Sequence, residues 1–156
     1  MDKSWDTTFI EIAEKYAEHS TCSKYHVGAI ITRDRRIIST GYNGVPGGQK
    51  HCNLIFKNIN FKEDKVMSEK HHEWSLKNEI HAEVNAICYA AKNEVLTNNA
   101  TLYCTLQPCL NCSKAIVAAG IKRVVYKEAY IREPESIDFL KSAGVDVVCL
   151  NDTENC

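Results

Sequence analysis

The sequence predicts an α/β fold in which a mixed five-stranded sheet carries helices on both faces. Two observations support this prediction. Short apolar runs rich in β-branched residues alternate with helical patterns through the second half of the chain. Two similar runs near the start are separated only by a charged turn. Helices that alternate with short apolar strands are typical of a sheet covered on both faces.

The first expected elements are a helix and a hairpin. Residues 5–18 repeat apolar side chains at i, i+3, i+4, i+7 and i+8, which predicts an amphipathic helix. The runs "VGAIIT" (27–32) and "RIISTGY" (36–42) are joined by "RDR", which predicts a hairpin. The glycines and proline of "GYNGVPGG" (41–48) predict a loop.

Residues 49–76 form the least regular segment. They mix apolar, charged and histidine residues without a clean period, and they hold too many aromatic residues for a disordered linker. We expect an insertion with some local helix. A chain of 156 residues suits one domain, which we place at 4–150, followed by a C-terminal tail at 151–156.

After this insertion the chain alternates regularly between helix and strand. The helical patterns cover 81–92, 108–120 and 134–144, and the strand patterns are "TLYCTL" (101–106), "RVVYKE" (123–128) and "VDVVCL" (145–150). The second and third of these helices begin near a proline and end at a glycine, which is the usual asymmetry of helix ends.

Composition argues against several classes of protein. The formal net charge of −1 argues against broad nucleic-acid binding, which needs a basic excess. The chain contains no run of about 18 apolar residues, so we predict no membrane-spanning helix. Its charged, periodic N-terminus differs from a signal peptide, and we expect a cytoplasmic protein. Eight cysteines in a reducing cytosol suit core thiols or metal ligands better than disulfides.

The first chemical motif is "HAE", in which His81 stands two positions before Glu83. Within a regular helix such neighbours do not face each other, but at a helix start both can face the same end. His81 could then bind a metal while Glu83 stands beside it. Both could also be ordinary surface residues, since a carboxylate at a helix start suits the dipole.

The second motif is "PCLNC" (108–112), which places Cys109 and Cys112 on one side of a helix's first turn. The helix dipole favours thiolates there, and two thiolates are half of a tetrahedral zinc site. The same spacing occurs in redox dithiols and in structural zinc knuckles. A thioredoxin-like dithiol usually follows an early strand, and a knuckle needs a second ligand pair at suitable spacing.

The two motifs strengthen each other because both open helices, one strand apart. Consecutive helix starts in a parallel arrangement lie at the same end of the sheet. His81, Cys109 and Cys112 can then converge on one Zn²⁺ and leave a fourth position for water, which is the pattern of a catalytic site. Zinc lowers the pKa of bound water to about 7 in favourable cases, and Glu83 could move the protons.

The order H-x-E followed by P-C-x-x-C is the signature of zinc-dependent nucleobase deaminases. The segments "VGAIIT", "ISTGYNGVPGG", "HHEWSLKNEIHAEVNAI" and "LYCTLQPCLNCSKAIVAAGIKRVVY" resemble the deoxycytidylate (dCMP) deaminase family, especially its bacteriophage and viral members. The similarity covers roughly residues 5–150. It implies a cytidine-deaminase-like three-layer α/β/α fold. It also implies the reaction of dCMP with water to give dUMP and ammonia, which feeds thymidylate synthesis.

The resemblance implies roles for individual residues. A water activated by zinc would attack C4 of cytosine, while Glu83 protonates N3 and then the departing amine. The implied substrate contacts are Ala82 at the pyrimidine edge, Asn43 at the sugar 3′-hydroxyl, Thr105, Gln107 and Pro108 on the leaving-group side, and Tyr126 or Tyr130 as the residue that closes the pocket.

Regulation and assembly are implied in the same way. Members of the family are commonly hexamers, activated by dCTP with Mg²⁺ and inhibited by dTTP. The implied effector site includes Gly41, Tyr42, Gly44, Gly47 and Gly48. Backbone amides in such a segment suit a triphosphate, although these glycines could also serve only the turn.

A second, non-catalytic zinc is a further implication. Phage-type members can carry one, and Cys22, His71 and Glu79 fall where its ligands would lie. The neighbouring alternatives are His51, Cys52 and His72. These residues could equally pack in the interior or face solvent.

The sequence offers three basic residues that could bind the substrate phosphate. Lys24, Lys50 and Arg132 are candidates, but such side chains usually face solvent. Ser23 and Lys24, which come just before "VGA", are favoured.

Two other functions stay open at this point. The first is a deaminase with a different substrate, such as dCTP, CMP or a pyrimidine-like intermediate of riboflavin synthesis. The second is a non-catalytic, zinc-stabilised binding module. Glu83 argues against the second, because a purely structural site has no use for an unliganded carboxylate beside an open coordination position.

Overall fold

The computed structural model describes residues 4–151. Within this range the helices are α1 (Trp5–Ala17), α2 (Cys52–Ile55), α3 (Lys65–Asn78), α4 (Ala82–Lys92), α5 (Leu110–Ala118) and α6 (Glu135–Ser142). The strands are β1 (Gly28–Arg33), β2 (Arg36–Tyr42), β3 (Thr101–Leu106), β4 (Arg123–Glu128) and β5 (Asp146–Cys149). The predicted order of elements is confirmed. The predicted tail, 151–156, lies outside the described residues except for its first position.

The five strands form one sheet in the order β2-β1-β3-β4-β5. Strand β1 runs antiparallel to both of its neighbours, β2 and β3, whereas β3, β4 and β5 run parallel to one another. The sheet is therefore mixed, as predicted. The hairpin between β1 and β2 turns at Asp34 and Arg35, which have positive φ angles of 51° and 60°. Positive φ at both positions suits a two-residue hairpin loop.

Helices cover both faces of the sheet because side chains alternate between the two faces along each strand. On one face, α1 packs through Phe9 against Ile30 and Tyr103. On the other face, α4, α5 and α6 share a second core with Ile31 and Leu102. The result is the predicted three-layer arrangement. No helix among residues 4–151 combines the length and the apolar character needed to cross a membrane.

A charged network ties α1 to the sheet. Nη1 and Nη2 of Arg123 each donate to a carboxylate oxygen of Asp6 at 2.8 Å. The hydroxyl of Tyr103 donates to the same carboxylate at 3.0 Å. The hydrogen bond from Arg123 holds the pKa of Asp6 below its ordinary value. The charged contacts therefore hold α1 against the sheet, in addition to the contacts of its apolar face.

Helix α4 approaches β2 closely at Gly41. A Cβ atom at this position would lie 2.3 Å from the carbonyl oxygen of Ala82 and 2.6 Å from the amide nitrogen of Ala86. Both are backbone atoms, so only glycine fits between the strand and the helix. Gly41 and Tyr42 thus belong to β2, and the loop predicted at 41–48 starts later than expected.

The insertion folds around a small core of its own. Cys22, Cys52 and Phe56 are buried together, and Trp74 of α3 packs against Phe56 with ring centroids 5.5 Å apart. The expected local helix is confirmed, and α3 extends over 14 residues. Its length was not evident from the sequence because its apolar residues follow no helical period.

Candidate active site

The starts of α4 and α5 meet at one edge of the sheet. Strands β2 and β3 both run antiparallel to β1, so their carboxyl ends lie at the same edge. Helix α5 begins soon after β3 ends. Ile80, which lies just before α4, forms a backbone bridge with Gly44, which lies just after β2. This bridge places the start of α4 beside the end of β2. The topology therefore brings the "HAE" and "PCLNC" motifs to one place.

Three metal-ligating side chains converge where these helices start. His81 and Cys109 are the N-cap residues of α4 and α5. Nδ1 of His81 lies 3.5 Å from Sγ of Cys109 and 3.3 Å from Sγ of Cys112. The three atoms all lie within 4.8 Å of one another. One imidazole and two thiols form a donor set that suits Zn²⁺, and three protein ligands leave a fourth position for another ligand.

The spacing of His81 and Glu83 follows from the helix boundary. His81 has an extended backbone (φ −70°, ψ 153°) as the N-cap, whereas Glu83 lies in the first turn of α4. Oε2 of Glu83 lies 3.7 Å from Sγ of Cys112, and Glu83 is only 3% exposed. Both side chains of the motif therefore face the same site from opposite sides of a helix boundary.

Burial and hydrogen bonding shift the pKa values of these groups. It raises the pKa of Glu83 above its ordinary value. The pKa of the Cys109 thiol is lowered to about 4, chiefly by its hydrogen bond with Cys112. The pKa of Cys112 is raised for the corresponding reason. The site thus combines a readily ionised sulfur with a carboxyl group that takes up protons easily, which suits proton transfer.

A cleft opens beside the three ligands. Its wall includes Ala82, Asn43, Gln107 and Tyr130, four of the residues for which the sequence suggested substrate contacts. Ala82 is the first residue of α4, and backbone N–H groups in the first turn of a helix have no partner within that helix. The cleft therefore offers a backbone donor next to the metal ligands.

Asn43 is buried in the cleft wall and holds the neighbouring chain in place. Its Oδ1 accepts a hydrogen bond from the amide of Val27, and its Nδ2 donates to the carbonyl of Tyr25, both at 2.9 Å. Each of these two side-chain atoms has capacity for a second hydrogen bond. Asn43 can therefore support the segment before β1 and still bind a hydroxyl group in the cleft.

Gln107 connects the cysteine motif to the loop after β4. Its Nε2 donates to the carbonyl of Glu133 at 3.1 Å, and its Oε1 accepts from the amide of Tyr130 at 3.2 Å. The carboxylate of Glu133 accepts from the amide of Leu110 at 2.5 Å. Glu133 was not predicted from the sequence, because it stands in an irregular loop and belongs to no motif.

Three of the suggested substrate contacts lie elsewhere. Thr105 points to the opposite face of β3, where its hydroxyl accepts from the amide of Gly28 at 3.2 Å, because successive strand residues alternate. Pro108 is fully buried and does not line the cleft. Tyr126 is buried in the core beneath α5 and α6. Of the two tyrosines considered, only Tyr130 reaches the cleft.

The residues suggested for binding the substrate phosphate also lie in different environments. The amide of Ser23 donates to Sγ of Cys52 at 3.3 Å, which places Ser23 against the insertion core. Nζ of Lys24 donates to the hydroxyl of Ser68 in α3 at 2.6 Å. Lys50 is exposed, and Arg132 pairs with Glu69 at 2.8 Å. Lys24 and Arg132 thus both contact α3, the helix whose His72 lines the cleft.

A second group of metal-ligating side chains lies under the insertion. Nε2 of His71 lies 3.4 Å from Sγ of Cys22 and 3.3 Å from Sγ of Cys52. The three atoms again lie within 4.8 Å of one another, and all three residues are buried. The expected set was Cys22, His71 and Glu79, so the structure puts Cys52 where Glu79 was expected.

Glu79 borders this second group. Its Oε2 accepts from the hydroxyl of Ser75 at 2.6 Å. Its Oε1 is buried and has no hydrogen-bond partner among residues 4–151. Burial raises the pKa of Glu79, while the hydrogen bond with Ser75 acts in the opposite direction. A buried oxygen without a partner is costly, and it leaves Glu79 able to bind a cation beside Cys22.

The residues suggested for an effector site do not share one environment. Gly41 is packed beneath α4, and Tyr42 ends β2. Gly44 pairs with Ile80. Gly47 and Gly48 are exposed, and Gly48 has a positive φ of 85°. Only the last two have the freedom of loop glycines.

Comparison with known proteins agrees with this geometry. The family described as "Cytidine and deoxycytidylate deaminase zinc-binding region" matches residues 3–128. The chain is 40% identical to the deoxycytidylate deaminase of Enterobacteria phage T2 over 168 aligned positions, and the alignment covers 90% of this chain and 89% of that protein. It is also 40% identical over 154 residues to the deoxycytidylate deaminase of Saccharomyces cerevisiae, covering 99% of this chain but 47% of the yeast protein.

A solved structure shows the same fold. The crystal structure of dCMP deaminase from the cyanophage S-TIM5 in complex with dCMP and dUMP matches with a TM-score of 0.75 and 32% identity, covering 94% of this chain and 97% of that chain. The matched residues 3–128 include His81, Cys109 and Cys112. The chain therefore belongs to the cytidine and deoxycytidylate deaminase family.

Proposed function

We propose that the chain catalyses the hydrolytic deamination of dCMP to dUMP and ammonia. The observation that carries the proposal is the buried Glu83 carboxyl group beside three convergent ligands, His81, Cys109 and Cys112. A structural zinc site needs no such carboxyl group. Further support comes from relatives named as deoxycytidylate deaminases and from the cyanophage complex with dCMP and dUMP.

His81, Cys109 and Cys112 would hold Zn²⁺, which supplies a water molecule acidic enough to ionise near neutral pH. Glu83 accepts a proton from this water and delivers it to N3 of the pyrimidine. Glu83 then passes the second proton of the water to the departing amino group, which leaves as ammonia. Its burial and raised pKa suit this role, because the carboxyl group must take up and release a proton in each cycle.

The cleft supplies the other contacts. The backbone amide of Ala82 would donate a hydrogen bond to the pyrimidine edge. The side-chain amide of Asn43 would make one more hydrogen bond, to the sugar 3′-hydroxyl. Tyr130 would close the cleft over the base. Gln107 holds the backbone of Tyr130, so it positions this wall without needing to touch the substrate.

A labelling experiment tests the proposed reaction. Zinc-loaded protein is incubated with dCMP in ¹⁸O-water, and the products are analysed by mass spectrometry. We expect dUMP that carries one labelled oxygen, together with one ammonia for each dUMP. Protein stripped of metal by a chelator should form no dUMP. Absence of dUMP from the zinc-loaded protein, or dUMP without the label, would refute the proposal.

We further propose the regulatory behaviour that the resemblance implies. The enzyme would supply dUMP for thymidylate synthesis in the cytoplasm, as a hexamer activated by dCTP with Mg²⁺ and inhibited by dTTP. A titration of activity with each nucleotide, read together with sedimentation, tests this part separately. A flat response to both nucleotides would remove the regulatory claim and leave the reaction intact.

The second zinc is also a proposal. Cys22, Cys52 and His71 would supply three ligands, and Glu79 is placed to supply the fourth through its buried, unpartnered oxygen. Four protein ligands would make this site structural. Elemental analysis should then find two zinc ions per chain, whereas one zinc per chain would contradict the second site.

A further inference from the structure

The loop between β4 and α6 contains a tight turn that begins at Tyr130 and ends at Glu133. The amide nitrogen of Glu133 donates to the carbonyl oxygen of Tyr130 at 3.4 Å, which is the contact that closes a four-residue turn. The tip of the turn faces solvent, where Ile131 is 90% exposed. We call residues 130–133 the Tyr130 turn. Since Tyr130 lines the cleft, the position of this turn decides where one wall of the cleft lies.

The side chain of Gln107 bridges the two ends of the Tyr130 turn. Its Oε1 accepts from the amide of Tyr130 at 3.2 Å, and its Nε2 donates to the carbonyl of Glu133 at 3.1 Å. The same Nε2 donates to the hydroxyl of Ser136 in α6 at 2.9 Å. A side-chain amide has two N–H donors, so both donors of Gln107 are used within the protein.

Glu133 ties the other end of the turn to α5. Its Oε2 accepts from the amide of Leu110 at 2.5 Å. Leu110 is the first residue of α5 and directly follows the ligand Cys109. Amides in the first turn of a helix have no partner within that helix, and the helix dipole favours a carboxylate there. The Tyr130 turn is therefore joined to the helix start that presents both thiol groups.

The side chains take over where the backbone pairing of the sheet stops. The last paired residues of β3 and β4 are Leu106 and Glu128, and the amide of Gln107 still donates to the carbonyl of Glu128 at 2.8 Å. The turn begins two residues after Glu128. From this point on, the contacts of Gln107 and Glu133 continue the connection between the two segments. Buried polar groups whose hydrogen bonds are satisfied hold a structure rigidly, and Gln107 is only 5% exposed.

We infer that Gln107 and Glu133 are positioning residues that clamp the Tyr130 turn to the start of α5. The clamp holds Tyr130 over the base at a fixed place relative to the metal ligands. The inference rests on the proposed function and deepens it, because it names the residues that set the closing wall of the cleft. It also changes the role of Gln107, which acts through Tyr130 instead of binding the leaving group.

Single substitutions test the clamp. Gln107→Leu removes the three side-chain contacts at similar size, and Glu133→Ala removes the contact with α5. Each should lower kcat/KM for dCMP by about 10-fold, because a displaced wall no longer orients the base. Zinc content, measured by elemental analysis on the same samples, should equal that of the wild type.

A double-mutant cycle with Tyr130→Ala separates the clamp from a direct substrate contact and from a general loss of stability. If Gln107 acts through Tyr130, Gln107→Leu should lower kcat/KM by less than about twofold in the Tyr130→Ala background. A side chain that touches the substrate itself would cost the same factor in both backgrounds. A general loss of stability would also act in both backgrounds.

A conservative variant and a matched control complete the set. Glu133→Gln keeps an oxygen that can accept from the amide of Leu110, so its kcat/KM should stay within about threefold of the wild type. Glu135→Gln removes an exposed carboxylate in the first turn of α6 and should not change kcat/KM.

Four results would overturn the inference while the reaction stands. They are wild-type kcat/KM in both Gln107→Leu and Glu133→Ala, loss of zinc from either variant, an undiminished effect of Gln107→Leu in the Tyr130→Ala background, and equal losses in Glu133→Gln and Glu133→Ala. The last result would assign Glu133 a role through its charge. If the wild type does not convert dCMP at all, the proposed function itself fails.

Discussion

Oε2 of Glu83 lies 3.7 Å from Sγ of Cys112, although the two residues are 29 positions apart. Glu83 comes from the first turn of α4 and Cys112 from the first turn of α5. The two turns meet because β2 and β3 run in the same direction on either side of β1. The direction of the strands therefore sets the position of Glu83 relative to the proposed metal ligands. Substitutions in the site and in the packing around it test this arrangement.

Replacement of Glu83 by glutamine tests the proton-transfer role. The amide keeps the size of the side chain but carries no exchangeable carboxyl proton, so dCMP turnover should fall by about 100-fold or more. Zinc content should not change, because Glu83 is not one of the proposed ligands. Glu73→Gln, an exposed carboxylate on α3, serves as the control. Retention of full activity by Glu83→Gln would contradict the mechanism.

Separate removal of the two metal groups tests their independence. Cys109→Ser should lose one zinc ion and all dCMP turnover, because it removes a ligand at the catalytic group. Cys52→Ser should also lose one zinc ion but keep measurable turnover at reduced thermal stability, since its group holds the insertion. Elemental analysis and activity on the same samples give the result. Loss of both zinc ions from either variant would show that the sites are not independent.

Alanine at Gly41 tests the contact between α4 and β2. The added Cβ would meet backbone atoms at 2.3 Å and 2.6 Å, so we expect a loss of about 1–3 kcal/mol in the free energy of unfolding. Gly47→Ala is the matched control, because nothing lies within 4 Å of its Cβ position, and it should change stability by less than about 0.5 kcal/mol. Denaturant titration measures both. Equal stability of the two variants would contradict the packing role of Gly41.

Asparagine at Asp6 tests the ion pair that holds α1. The pKa of Asp6 is lowered in the folded state by Arg123. Its contribution to stability is therefore present above the ordinary carboxyl pKa and lost as the pH falls through the lowered value. At pH 7 we expect Asp6→Asn to be less stable by about 1 kcal/mol, and at low pH the difference should vanish. A difference that grows toward low pH would contradict this assignment.

Local sequence patterns were sufficient for the residues at helix starts. His81, Cys109 and Cys112 stand at N-cap or first-turn positions that short motifs define, and alternating elements implied that these positions share one edge of the sheet. Thr105 was expected at the cleft because the resemblance assigns all the residues before "PC" to the leaving-group side of the substrate. Strand β3 sends alternate side chains to opposite faces, and only part of that segment can face the cleft.

Contacts made by irregular segments were not readable in the same way. Cys52 joins Cys22 and His71 only through the fold of the insertion, which has no period to predict it. Glu133 reaches the start of α5 from a loop. Tyr126 and Tyr130 are equivalent in sequence terms, and their separation into core and cleft depends on where β4 ends.

The measurement that tests the central claim most directly is a competition assay. The zinc-loaded protein is incubated with an equimolar mixture of deoxycytidine, CMP, dCMP, dCDP and dCTP in the presence of Mg²⁺. Mass spectrometry then shows which species gains about one mass unit, the change expected when an amino group is replaced by a carbonyl oxygen. The account predicts conversion of dCMP ahead of every other species. Conversion of deoxycytidine or dCTP in preference to dCMP, or of none of the five, would contradict it.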